Sequence, residues 1–400
     1  MDSALTGVKL RIVLIVTAVV AMAATGCKET PPVNKPIEGT LPLLVILWDP
    51  QRPEVTVKPT REQVEELVFG AKPSIADFFE TQSFGKVKIQ KAGVFSYLAD
   101  KPANHYWYHP APGTPGGDEF ISGHAEKWAE AIRKADREFN FAAYDTDKNG
   151  ELSTTELGIL IVIPQVSPFG TVRGLVGREH PSVQSLVVDG VKLKSMAEVY
   201  TGNGTSIGTP VKGIPMNFGV MAHELGHLFF KMVDMYYDGA LRPGNYSLMD
   251  VTYTDAQYDP YHRVRTGWLT PQVVTQSGTY QLSSVERSGD LLKIIRPKHS
   301  PPEYFMIENR QHGVYDTGLP DTGLAIWRFT DNESASDWVR KNLHLIRSPL
   351  AQGDKNALWH GPDSPATTLK WTDGTSSGIT VRGFSESASV MSLAIDMPAN

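Results

Sequence analysis

Thiols are almost absent from this chain: Cys27 is the only cysteine in 400 residues. No intramolecular disulfide can form, no zinc ligand in the mature domain is a thiolate, and latency through a cysteine switch is excluded. Positive charge is also scarce. The 38 Lys and Arg face 44 Asp and Glu, giving a net charge of −6 and a pI near 6.0 with no dense basic cluster, so no nucleic-acid partner is expected. The apolar run Ile12 to Met22 falls short of the roughly 20 residues that a comfortable membrane span needs.

That short run has another use. Lys9 and Arg11 precede it, and the small residues Ala23-Ala24-Thr25-Gly26 lead to Cys27, which is the pattern of a bacterial lipoprotein signal over residues 1–26 with Cys27 as the lipidated residue. Ala24 stands where leucine is commoner. Residues 27–40 are polar and Pro-rich, as expected of a tether. The expectation is a protein of the bacterial cell envelope, facing outside the cytoplasm and held at the outer membrane or cell surface by an N-terminal lipid anchor.

With 41% apolar and 20% charged residues, the remainder is globular and long enough for one large or two moderate domains. Leu41 to Trp48 is a continuous apolar run and predicts a buried strand. Thr60 and Ser74 are placed to cap two helices, and a longer helix is expected from Asp118 to Phe139. From about Gly278 the pattern changes to short alternating runs, including Tyr280 to Leu282, Tyr304 to Ile307 and Val390 to Ile395, which predict a β-rich C-terminal part. The expected domains are a catalytic unit over 41–275 and a β-rich subdomain over 276–400 that completes it, together an α+β fold.

Two motifs carry chemistry. In His223-Glu224-Leu225-Gly226-His227 the two histidines are one helical turn apart, about 40° around the axis and about 6 Å along it, so both can reach one zinc ion with Glu224 as the base. Val220, Met221, Leu225, Leu228, Phe229, Met232 and Val233 continue an apolar stripe, with Asn217 placed to cap the helix. Zinc held by two imidazoles and a carboxylate keeps an open position for water, whose proton Glu224 takes and later delivers to the leaving amine. Tyr236, Tyr237, Tyr261 and His262 are candidates for stabilising the oxyanion. If the helix runs on, Asp234 lies about 10 Å beyond His227, too far to share its zinc.

The second motif runs from Asp145 to Glu156. Asp145, Asp147, Asn149, Gly150, Ser153 and Glu156 match the twelve-residue calcium loop, with Glu151 offering its carbonyl. The apolar, strand-like run Leu157 to Ile163 follows instead of a helix, and no second loop occurs, so a structural calcium site joining helix to strand is expected. The Gly-, Thr- and Ser-rich stretch from Asp189 to Gly213 reads as loops and short edge strands able to pair with an extended substrate.

Taken in order, Leu44-Val-Ile-Leu-Trp-Asp49, Phe78-Phe-Glu-Thr-Gln-Ser-Phe-Gly85, the Asp-rich loop, His-Glu-Leu-Gly-His, Asp234-Met-Tyr236, Ser247-Leu-Met249, Gly267-Trp-Leu269, Glu303-Tyr-Phe-Met-Ile-Glu-Asn-Arg310 and Gly323-Leu-Ala-Ile-Trp327 resemble the immune inhibitor A type of secreted bacterial metallopeptidases. The likeness spans roughly Leu41 to Ile395. It implies a zincin-like catalytic domain, catalytic zinc, structural calcium, and hydrolysis of peptide bonds in extracytoplasmic proteins or peptides. Such enzymes follow the second histidine with a Gly-Leu-Pro-Asp-type turn, whereas this chain has Leu228 to Asp234 without the glycine or proline. The resemblance then points to Glu286 as the third zinc ligand, with Asp234 the alternative and Glu308 a further one. The competing reading is a catalytically silent metal-binding or calcium-stabilised surface lipoprotein that keeps the peptidase fold.

Overall fold

Leu43, Val45 and Leu47 point to one face of the first strand and Leu44, Ile46 and Trp48 to the other, and all six are buried. A strand covered on both sides has no polar face to show, which is why its sequence is continuously apolar. The computed structural model describes residues 36–51, 55, 57–107, 117–164, 174–178, 186–201, 218–236, 242–252, 256–330 and 343–398. The signal segment, Cys27 and most of the tether lie outside these residues, as do Asn217 and Tyr237.

That strand, β1 (Gly39–Asp49), is followed by α1 (Arg61–Phe69), α2 (Ile75–Gln82) and β2 (Val87–Leu98). Thr60 caps α1 through a reciprocal box with Gln63, and Ser74 caps α2 by accepting from the Asp77 amide. Next come α3 (Ala103–Trp107) and α4 (Gly117–Ala135), then β3 (Glu151–Leu152), β4 (Gly158–Ile163), β5 (Gly174–Arg178), β6 (Val187–Val188), β7 (Val191–Leu193) and β8 (Ser195–Tyr200). The main sheet has the order β2-β1-β4-β8-β5, parallel except for the antiparallel edge strand β5. Ser195–Tyr200 was expected at an edge; it instead lies between β4 and β5, and all six of its residues are buried. The helix bearing the histidines, α5 (Phe218–Phe230), packs with α1 and α2 on one face of this sheet, while α4 and the Asp-rich loop cover the other.

The C-terminal part begins with α6 (Pro260–Arg265), β9 (Gln272–Val273), β10 (Gly278–Ser283) and α7 (Val285–Ser288). It continues through β11 (Leu291–Ile295), β12 (Glu303–Arg310), β13 (Gly323–Thr330), β14 (Leu343–Ile346), β15 (Thr367–Lys370), β16 (Ser376–Arg382) and β17 (Val390–Asp396). Two sheets result, β14-β13-β12-β11-β9 and β10-β17-β16-β15. Phe305 and Ile307 of β12 join the core between these sheets, whereas Tyr304 and Met306 join the core beneath α5. One strand thus seals both cores, and Pro31–Asn400 forms one compact unit of mixed α and β structure, compatible with the α+β expectation.

Candidate metal centre

The helix α5 is apolar on nearly all sides because it is buried: every residue from Phe218 to Phe230 except His227 is covered. Gly226 is required here. A Cβ at this position would lie 2.8 Å from the Tyr258 hydroxyl and 3.2 Å from Met232 Sδ. Tyr258 itself donates to the Ala222 carbonyl at 2.7 Å, so it is pinned against the helix.

The helix does not run on. It ends at Phe230, and Lys231 adopts a left-handed backbone, φ 54°, with its amide bonded to the His227 carbonyl at 3.1 Å. This is the geometry usually given to glycine, carried out by an exposed lysine. The chain then reverses, leaving Met232 and Val233 outside the helix and returning Asp234 to the histidines. His223 Nε2 and His227 Nε2 are 3.0 Å apart, and Asp234 Oδ1 lies 3.1 Å from each. The expectation that Asp234 sits too far away is corrected, since it assumed a continuing helix.

Backbone carbonyls fix both rings. His223 Nδ1 donates to Leu248 O at 2.9 Å, and His227 Nδ1 donates to Met232 O. A carbonyl only accepts, so each ring carries a proton at Nδ1 and turns Nε2 toward the common point. Burial pushes the His223 imidazole down, but Asp234 and the charge of Glu224 outweigh it and hold the group up at about 9. Burial pushes Asp234 up, yet the two histidines hold its carboxyl well below the usual range. His223 is 4% exposed, His227 16% and Asp234 22%, so the point is reachable from one side.

Tetrahedral zinc with bonds of 2.0–2.1 Å places its ligand atoms about 3.3 Å apart, and the three distances here fit that spacing closely. Glu224, 7% exposed, is one residue from His223, and its charge acts on both His223 and Tyr258. Tyr236 donates to Asp234 Oδ2 at 2.9 Å.

Glu286 and Glu308 are elsewhere. Glu286 sits in α7 and accepts from the Val314 amide at 3.2 Å; its carboxyl, raised by burial, belongs with Asp316 and Lys72. Glu286 is therefore corrected as the zinc ligand: the groups gathered at the histidines are His223, His227 and Asp234. Glu308 is fully buried beside Arg310 and the Trp327 indole. Tyr261 accepts a hydrogen bond from Arg265 and stacks on Phe329, and both ring nitrogens of His262 are engaged in the interior, so His262 is not placed as an oxyanion donor.

The turn beneath the site has its own support. Arg310 forms a two-pronged bond to Asp316, at 2.8 Å each, and donates from Nη1 to the Tyr246 carbonyl at 2.9 Å. The Glu-Asn-Arg and Ser-Leu-Met segments, far apart in sequence, are thereby one structure.

In the Asp-rich loop, Asp145, Asp147 and Glu156 each bring a carboxylate oxygen within 4.8 Å of the others. Lys148 and Gly150 have positive φ, which lets the chain turn sharply. Burial pushes Glu156 up, but bonds from Ser153, Thr146 and the Asp147 amide prevail and hold it near 2. Asn149 bonds within the loop, to Glu151 N at 2.7 Å and Asp147 Oδ2 at 2.8 Å. The Glu151 side chain turns out to Lys194 and Lys192.

A scan against models of known families gives no match, and a search of curated proteins gives none either. Among the described residues, no helix is long and apolar enough to cross a membrane.

Proposed function

We propose that this chain is a zinc-dependent endopeptidase of the zincin kind, similar to the immune inhibitor A type, acting on proteins or peptides outside the cytoplasm. The observation that carries the reading is the convergence of His223 Nε2, His227 Nε2 and Asp234 Oδ1 at 3.0–3.1 Å, with both rings oriented by carbonyls and Glu224 alongside. Zinc bound there supplies a Lewis acid that polarises the scissile carbonyl and makes water acidic enough to attack at neutral pH. Glu224 accepts the proton of the attacking water and delivers it to the leaving amine. Tyr236 holds the second oxygen of Asp234, leaving the first to the metal. An extended substrate pairs with the outer edge of β5, the antiparallel edge strand beside α5.

Calcium at Asp145, Asp147 and Glu156, with the Glu151 carbonyl, stabilises the other face of the sheet, and acylated Cys27 tethers the enzyme to the envelope. Replacement of Glu224 by Gln tests the reading. Casein or peptide cleavage should fall by about a hundredfold to ten-thousandfold with zinc content unchanged, the range that acid–base catalysis contributes. Zinc-loaded wild-type protein that cleaves nothing would sink it in favour of a silent surface protein.

A further inference from the structure

One buried pair supports both the turn under His223 and the segment that carries Asp234. Asp259 and His262 open α6, with side chains 0% and 2% exposed, and neither is among the groups gathered at the ligand point. His262 Nε2 lies 3.2 Å from the Val233 amide nitrogen, and Nδ1 lies 2.8 Å from Asp259 Oδ2. An amide only donates, so Nε2 accepts from Val233, and Nδ1 carries the proton that is donated to Asp259. Val233 immediately precedes Asp234. The same oxygen, Asp259 Oδ2, accepts from the Ser247 hydroxyl at 2.7 Å, and Ser247 Oγ accepts from the Met249 amide at 3.2 Å. Between those two residues stands Leu248, whose carbonyl orients the His223 ring. A single carboxylate oxygen therefore reaches the His223 side of the centre through Ser247 and the Asp234 side through His262.

We propose that Asp259 and His262 form a positioning pair that sets the placement of Asp234 relative to His223, and so the affinity for the metal, without touching the ion. This rests on the metal reading of the site. A pair that merely filled the core would affect folding and leave the metal spectrum alone. Asn at 259 has nearly the same shape, but its amide nitrogen replaces one acceptor. Asp259 Oδ1 takes the His262 backbone N–H at 3.1 Å while Oδ2 takes Ser247 and the ring, so either orientation of the amide sets a donor against a donor. With the amide nitrogen at the Oδ2 position the ring relieves the clash by moving its proton to Nε2, where it opposes the Val233 N–H; with the nitrogen at the Oδ1 position it opposes the His262 backbone N–H and turns the side chain out of place.

The full chain carrying Asp259→Asn is compared with wild type by chelator competition for zinc and by the visible spectrum of the cobalt-substituted protein. The expected result is a tenfold to hundredfold loss of affinity, the usual range for outer partners of metal ligands, with a shifted cobalt spectrum. Ser247→Ala and His262→Gln cut one branch each and are read in the same way, with smaller losses, should Asp259→Asn not fold. Unchanged affinity and spectrum in the variants that fold overturn the proposal while leaving the metal reading intact. A wild-type chain that takes up neither zinc nor cobalt overturns the metal reading, and this proposal with it.

Discussion

Asp234 Oδ1 lies 3.1 Å from His223 Nε2, although a straight helix from His223 would carry it far out of reach. The left-handed residue Lys231 is what closes that distance. The candidate centre is therefore local in sequence, His223 to Asp234, while its supports come from the turn at Ser247–Met249 and from α6.

Lys231→Gly should be at least as stable as wild type, because glycine adopts this backbone without the Cβ penalty. Lys231→Val should be the less stable by roughly 1 kcal/mol, since branching at Cβ adds to the left-handed cost that lysine already bears. Urea unfolding at neutral pH measures both. Equal stability of the valine variant would contradict the role given to this residue.

Gly226→Ala should destabilise by about 1–3 kcal/mol, the usual range for overpacking, since the new methyl meets the Tyr258 hydroxyl and the Met232 sulfur. Tyr258→Phe removes the closer of the two atoms together with its bond to the Ala222 carbonyl, so it should cost less in the Gly226→Ala background than in wild type. Equal costs in the two backgrounds would mean that the contact is not the cause.

Asp250 supplies a pH signature. It accepts from the Gly244 amide and lies 3.6 Å from Arg242 Nε, and burial pushes its carboxyl from 3.8 up to about 6 against both. The folded state binds more protons than the unfolded between those values, so this group's contribution makes stability fall as pH rises through the window. Asp250→Asn should therefore gain on wild type across that window, by on the order of 1–3 kcal/mol once above pH 6. A difference that is independent of pH from 4 to 7.5 would refute the shift.

Calcium should raise the thermal midpoint of the protein, and Glu156→Ala should abolish the increase. At a hundredfold excess over its dissociation constant a bound ion adds about 2.7 kcal/mol. Calorimetry with and without a calcium-selective chelator decides the matter, and an equal midpoint in both would remove calcium from the loop.

Much of the architecture is visible in local chemistry. The apolar run of β1, the caps at Thr60 and Ser74, and the alternating runs after Gly278 all read correctly because each depends on neighbours in sequence. The full length of β2, from Val87 to Leu98, is less visible, since it comes from pairing along the whole of β1. The reversal at Lys231 was hidden because lysine carries no turn signal; only the tertiary docking of Met232 and the bond from Val233 to His262 make it favourable. Glu286 was preferred for the same reason. Asp259-Pro260 does announce a helix start, but nothing in the sequence says that its second oxygen reaches Ser247.

The most direct test of the central claim is the zinc content of the purified full chain, measured for wild type, Asp234→Ala and Glu286→Ala with calcium present throughout. The account predicts one tightly held zinc per chain in wild type and in Glu286→Ala, and its loss in Asp234→Ala. No zinc in wild type, or a zinc that survives loss of Asp234 and disappears with Glu286, would contradict it.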